Sequence, residues 1–359
     1  AGGALRRARG RVGGDGIAAP RPSRVYTRRN VSSPEARPLR PVVPLAPAEA
    51  RAICQRVIAN VERALQGKRD AIELCLVGLL ARGHVLVEDV PGVGKSTLAQ
   101  ALARSLDLPF ARIQFTSDLL PADILGVSTW DPQSGAFTFR QGPIFHAVVV
   151  ADELNRTPPR TQSALLEAMA EGQVSLEGTT RPLPDPFLVI ATLNPQEQQG
   201  TYPLPESQLD RFLLRLSLGY PAQEVERGLL LTRRGQQPAS TLQPVAGVGE
   251  VRRLQEAADA VRLDGPVADY LLALVTATRE GGRFSLGVST RGALALAAAA
   301  RARALLRGRD YVLPEDVKAL AIPVLAHRVQ PAGRDAWDPD RGEAERLLAE
   351  VIAETAVPE

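Results

Sequence analysis

Residues 85–97, VLVEDVPGVGKST, constrain the fold more than any other stretch of this chain. A β-branched apolar run ends in a glycine-bearing turn and passes through Lys95, Ser96 and Thr97 into an Ala/Leu-rich helical pattern, which predicts strand, loop and helix in succession. Gly92 and Gly94 let the backbone curl so that successive N–H groups point inward. With the positive end of the following helix they make an anion cradle. Lys95 is then placed to reach outer phosphates, and the Ser96 hydroxyl to complete the shell of a Mg²⁺ that bridges them. The candidate phosphate-contacting residues are Asp89, Val90, Pro91, Gly92, Val93, Gly94, Lys95, Ser96 and Thr97. Asp89 departs from the pattern G-x-x-x-x-G-K-[ST], whose first position is glycine; a local cap, or a contact to the loop's own backbone, is the expectation there.

With 359 residues, 45% of them hydrophobic, the chain is long enough for two or three domains around a substantial core. Its formal charge of +3 hides an asymmetry: residues 1–40 hold ten Arg against Asp15 and Glu35, a net +8, which leaves −5 for the remainder. The basic stretch is rich in Gly, Pro and Ala, lacks periodicity and does not open on Met, so it is expected to be a disordered tail (1–47) with no catalytic role, a processing remnant or an extension upstream of the true start. Lysine occurs only at positions 68, 95 and 318, so its presence in the glycine loop is informative in a way that a single Arg is not. Cys54 and Cys75 both fall in apolar helical patterns without a partner at metal or redox spacing. Buried free thiols and a reducing, cytoplasmic compartment are the corresponding expectations. No apolar run approaches about 18 residues, so no membrane span is expected.

In chain order, residues 48–66 read as an amphipathic helix, Gly67 and Lys68 break it, and a second helix at about 70–81 leads to a strand at 84–88. A strand at 110–115 follows the glycine loop and its helix, and hairpins are expected at 127–140 and 173–184. Residues 144–151, IFHAVVVA, form a buried strand that ends in Asp152 and Glu153. Open α/β sheets bind ligands at the carboxyl ends of their strands, so Asp152 is placed to hold the Mg²⁺ and Glu153 to orient an attacking water. The strand 187–192 ends at Asn194, whose amide can donate to a terminal phosphate or a water. Residues 204–216 read as a helix opened by Pro205 and leading into a last strand near 212–218. Arg211 within it either pairs with Asp210 or projects into a neighbour's site, and the sequence leaves both open.

A second region begins at Pro221: a helix to about 234, a linker (235–249), then helices at about 250–260, 265–280, 289–307 and 314–328, and a terminal one at 340–354. Arg291 falls in the first turn of the third of these, where the helix dipole disfavours a cation unless an anion sits opposite.

These residues, over roughly 67–328, resemble a MoxR-type AAA+ ATPase, close to the ATPase subunit of magnesium chelatase. The likeness is carried by LVEDVPGVGKSTLAQALA, DLLPADILG, FRQGPIF, VVVADELNRTPPRTQSALLEAMAEGQV, PFLVIATLNPQEQQGTYPLPESQLDRF, GVSTRGALAL and VLPEDVKALAIPVLAHRV. It implies an α/β AAA+ domain (48–220) with a five-stranded parallel sheet and two hairpin inserts, a helix and linker (221–249), a small all-helical lid (250–332) and a C-terminal helical extension (333–359). It implies Lys95 and Ser96 as the Walker A pair, Asp152 and Glu153 as Walker B, Asn194 as sensor 1, Arg211 as an arginine finger acting in trans and Arg291 as sensor 2. Arg156, which follows Walker B, could approach a subunit boundary. ATP and Mg²⁺ are the implied cofactors, a hexameric ring the implied assembly, and a client with a von Willebrand factor A-type domain the implied partner. The competing functions are a P-loop phosphotransferase, which would not need Asn194, Arg211 and a helical domain in this order, the motor of a metal chelatase, and a DNA-acting motor. The acidic body, with Arg140 and Arg181 only near the hairpin ends, does not suit tracking of a phosphate backbone, so nucleic acid is not an expected partner.

Overall fold

Alternation along one strand shows how the molecule is layered. In β1 (Val85–Glu88), Val85 and Val87 join one apolar cluster while Leu86 between them joins another, as the two-residue period of a strand buried on both faces requires. β1 lies inside a five-stranded sheet with β2 (Phe110–Gln114), β5 (Val148–Asp152), β8 (Leu188–Leu193) and β9 (Leu214–Leu216), in the order β2-β5-β8-β1-β9. Every pairing is parallel. The computed structural model describes residues 43–133, 135–194, 200–231, 238–333 and 342–358, all within one compact unit that starts at Pro41. The tail expected to be disordered therefore lies outside the described residues as far as position 42.

The first face of the sheet packs on α1 (Pro47–Glu62), α2 (Arg69–Leu80) and α3 (Lys95–Ser105), and its cluster continues without a break into α8 (Val248–Asp259), α9 (Gly265–Arg279), α10 (Thr290–Leu306), α11 (Pro314–Leu325) and α12 (Gly342–Glu354). Each Leu or Val so buried contributes about 1.5–3 kcal/mol relative to exposure. Cys54 and Cys75 are free and lie in this cluster, where burial pushes both thiols up to about 12. The second face packs on α4 (Pro121–Leu125) and α5 (Pro159–Glu171). The helical region is not entirely helical: β10 (Phe284–Leu286) pairs with β11 (Gln330–Pro331) in a short antiparallel ribbon. No described helix is long and apolar enough to cross a membrane.

Two hairpins flank β5 in sequence, β3 (Gly126–Asp131) with β4 (Ala136–Gln141) before it, and β6 (Gln173–Leu176) with β7 (Thr179–Pro182) after it. They brace each other, because the Ser128 hydroxyl donates to Glu177 (2.6 Å) and the Arg181 guanidinium lies 3.9 Å from the centre of the Phe139 ring. Trp130 and Phe137, in edge contact at 5.2 Å, are left exposed on the first hairpin.

The helix opened by Pro205 is short, α6 (Glu206–Leu209), and the last strand expected near 212–218 follows as β9. The carbonyls of Asp210, Phe212 and Leu213, which a longer helix would satisfy internally, accept instead from the guanidinium of Arg328 (3.3, 2.7 and 3.0 Å). That side chain is only 2% exposed, and its Nε donates to Asp210 Oδ1 at 2.8 Å. α7 (Gln223–Leu231) opens the second region as expected; the expected end of that helix and the first residues of the linker, 232–237, lie outside the described residues.

Candidate nucleotide site

The sheet order places three strand ends side by side. Glu88 of β1 is in register with Leu193 of β8, and Ala151 of β5 with Ala191 of β8. The glycine loop, Asn194 and the Asp152–Glu153 pair therefore emerge at one carboxyl edge, in the crevice where parallel sheets bind ligands.

In the loop, Gly92 and Gly94 take the left-handed region (φ 86° and 103°), and Gly92 lies in the open, where a side chain would meet nothing. Gly94 directly precedes α3, so the first-turn N–H groups of Lys95, Ser96 and Thr97 face the loop without helical acceptors. Lys95 Nζ donates to the carbonyl of Asp89 at 2.6 Å. Asp89 is buried, and its contacts include the one expected with the loop's own backbone: Oδ1 accepts from Val90 N–H at 2.9 Å. The remainder of its contacts come from far along the chain. Oδ2 accepts from the Ser217 hydroxyl (2.9 Å) and from the N–H groups of Leu218 (2.6 Å) and Gly219 (2.7 Å). Burial acts to raise the Asp89 pKa, but these hydrogen bonds outweigh it and hold the carboxyl below its ordinary value.

Asp152 ends β5 and is buried. Its Oδ1 accepts from the Thr192 hydroxyl (2.7 Å), and its Oδ2 pairs with Arg112 of β2, whose Nε lies at 3.0 Å. Glu153 sits in the left-handed region (φ 57°), uncommon for a side chain of its size. That turn lets its N–H donate to Thr192 Oγ1 (2.9 Å) while its carboxylate receives Gln114 Nε2 (2.8 Å) and Arg156 Nε (3.0 Å). Asn194 is buried directly after β8.

The two other expected arginines have their described contacts on different residues. Arg211 does not pair with Asp210; it donates to the carbonyl of Leu166 on α5 at 2.7 Å, and its Nε is buried without a partner. Arg291 follows the cap of α10, where Ser289 Oγ accepts from Gly292 N–H (3.1 Å). The anion opposite it is Asp210, at 3.7 Å. Asp210 thus serves two arginines, Arg291 and Arg328. Burial lowers the pKa of Arg328; Asp210 opposes that shift and nearby Arg291 adds to it.

Sequence reasoning passed over Arg112, Gln114, Thr192 and Arg328. For the first two a signal existed: in ARIQ they alternate onto one face of a strand that lies next to the Asp152 strand. For Arg328 none did, since arginine is abundant and its partners lie more than a hundred residues away.

The sequence matches the family described as ATPase family associated with various cellular activities (AAA) over residues 84–214, and the AAA lid domain over residues 276–351. It is 43% identical to the chaperone MoxR1 of Mycobacterium tuberculosis over 77% of this chain and 75% of that protein. It is 32% identical to the protein MoxR of Methylorubrum extorquens over 75% and 85%. The chain belongs to the MoxR-type AAA+ ATPases. The uncharacterized protein YeaC of Bacillus subtilis is 46% identical over 84% of this chain and 94% of its own length. A crystal structure of an ATPase from Cytophaga hutchinsonii superposes with a TM-score of 0.77 at 37% identity, covering 86% of this chain and 96% of that one. More distantly, the 38 kDa subunit of magnesium chelatase from Acidiphilium rubrum is 28% identical over 70% of this chain and 72% of that protein. The AAA+ P-loop fold with a helical lid, the capacity to bind nucleotide and ATPase activity go with membership; the work of MoxR proteins is ATP-driven and chaperone-like.

Proposed function

We propose that this MoxR-type chain hydrolyses the β–γ bond of ATP with Mg²⁺ and uses the energy to remodel or activate a client protein, as one subunit of a hexameric ring. The observation that supports this best is the common carboxyl edge at which the loop 89–97, Asp152, Glu153 and Asn194 emerge from adjacent strands. The loop N–H groups and Lys95 bind the phosphates, Asn194 contacts the terminal phosphate, and Glu153 orients the attacking water. The donor set suits Mg²⁺, which needs one or two protein oxygens beside phosphate and water: Ser96 offers a hydroxyl and Asp152 a buried carboxylate. Among the described residues no cluster of three or more His, Cys, Asp or Glu could hold a metal without phosphate. Mg²⁺ so held would neutralise charge on the phosphates. Arg211 acts in trans on the neighbouring subunit's nucleotide, and Arg291 reports phosphate loss from the lid. The division into a nucleotide-binding domain (48–220), a lid (250–332) and a C-terminal extension (333–359), a cytoplasmic location, and a client with a von Willebrand factor A-type domain belong to the same reading.

The test is Glu153→Gln. A fluorescent ATP analogue should bind the variant with Mg²⁺ as it binds the parent, while phosphate release falls by about 10²–10⁴-fold. Turnover at the parental rate would remove Glu153 from the mechanism, and a parent that binds no nucleotide would remove the mechanism itself.

A further inference from the structure

The carboxylate of Asp89 reaches well beyond the turn it belongs to. Three of its four hydrogen bonds come from Ser217, Leu218 and Gly219, in the turn by which the chain leaves β9 for α7 and the helical region. The opposite side of the same turn is also held: Lys68 Nζ donates to the carbonyls of Leu218 (2.5 Å) and Tyr220 (2.7 Å). Lys68 stands at the start of α2. The turn is therefore gripped by its N–H groups from the phosphate loop and by its carbonyls from α2. Through its own carbonyl, Asp89 also accepts from Lys95, the lysine that reaches for phosphate. One residue thus touches the phosphate-binding lysine with its backbone and the exit turn with its side chain.

Aspartate fits this position narrowly. Two N–H groups and a hydroxyl converge on one oxygen, an arrangement that favours a charged acceptor. Asparagine would turn an amide or an oxygen of lower charge toward these donors. Glutamate would push the acceptor one methylene too far. Glycine, the ordinary residue here, would leave the Leu218 and Gly219 N–H groups without this partner.

We propose that Asp89 is a positioning residue that joins the phosphate loop to the exit of β9, so that a nucleoside triphosphate in the loop is registered in the 217–220 turn and passed toward the helical region. This rests on the nucleotide-binding reading of the loop given above. A displacement of residues 89–90 moves the shared acceptor of Leu218 and Gly219, and Lys68 prevents the turn from following freely.

The test is amide hydrogen exchange of the full-length protein with and without Mg²⁺ and a slowly hydrolysed ATP analogue, beside the affinity for that analogue. In the parent, the analogue should slow exchange at Leu218 and Gly219 by about tenfold, the effect of strengthening one charge-assisted hydrogen bond. Asp89→Asn, read at an analogue concentration that saturates the variant, should exchange faster at both amides and lose their response to the analogue. Lys68→Met, which leaves the loop untouched, should weaken the same response, and the double variant should be no worse than Asp89→Asn. Responses at 218–219 that survive in Asp89→Asn, or an unresponsive parent that binds the analogue, would overturn the proposal. So would loss of analogue binding in Asp89→Asn, which would mean the residue only builds the loop. A parent that binds no analogue would instead remove the nucleotide reading, and the proposal with it.

Discussion

His84 gives the structure a measurable acid limit. It precedes β1 and is buried, with Nε2 at 3.1 Å from the carbonyl of Met169 on α5 and Nδ1 at 3.1 Å from the N–H of Val189 on β8. The first contact requires a donor and the second an acceptor, so the neutral ring with its proton on Nε2 satisfies both. A second proton would set Nδ1–H against the Val189 N–H. Burial, opposed in part by the Met169 contact, lowers the His84 pKa from 6.5 to about 4. Since the folded value lies below the unfolded one, the unfolded chain binds more protons between these limits, and stability falls as pH drops through them. The loss is about 2 kcal/mol at pH 5 and approaches about 3 kcal/mol below pH 4, at 1.36 kcal/mol per pKa unit. The perturbation is His84→Gln, whose amide can donate to Met169 and accept from Val189 but does not titrate here. Urea unfolding of parent and variant at pH 7, 6 and 5 isolates the histidine, because carboxylates common to both cancel in the difference. The two stability curves should converge by about 2 kcal/mol between pH 7 and 5. If they run parallel, His84 is not held neutral by its surroundings and the argument fails.

Three further substitutions probe ion pairs. Arg328→Met leaves the carbonyl of Leu213 without this donor, that of Phe212 with only His327, and Asp210 facing Arg291 only, so it should cost about 3–5 kcal/mol in urea unfolding. Arg346→Ala, on exposed pairs of α12, should stay within about 0.5 kcal/mol. Arg112→Ala removes a cation from Asp152 and should tighten Mn²⁺ binding in the nucleotide complex by roughly tenfold, read by electron paramagnetic resonance; unchanged or weaker Mn²⁺ binding would mean that Arg112 orients Asp152 rather than competes with the metal.

What could be read from the sequence was local. The run from Val85 to Thr97, the acids closing β5 and the apolar strand before Asn194 are contiguous segments whose period and end residues fix both conformation and edge. Their alignment follows once the strands are parallel. The long-range partners were not legible. Forty of the 43 Lys and Arg residues are Arg, so nothing in composition marks Arg328 as buried, Arg112 as the partner of Asp152, or Arg215 as an ion pair with Glu88 of β1 and Glu345 of α12. The chain between α6 and β9 has the same character: its carbonyls at Phe212 and Leu213 are met by Arg328 from far along the sequence. The arginine-finger and sensor assignments of Arg211 and Arg291 came from family likeness; within one chain the described contacts of these residues are with Leu166 and Asp210.

The bracing of the two hairpins has a mechanical consequence. A lone two-stranded ribbon bends easily, so a load on Trp130 or Phe137 would be dissipated along β3 and β4. The Ser128–Glu177 and Arg181–Phe139 contacts add a second leg. One leg is rooted at α4 and the strand leading to Asp152, the other at the end of α5. Two legs joined near their middle form a truss, which carries thrust to both roots and resists twisting between them. A displacement at the roots would therefore reach the aromatic pair through both legs together.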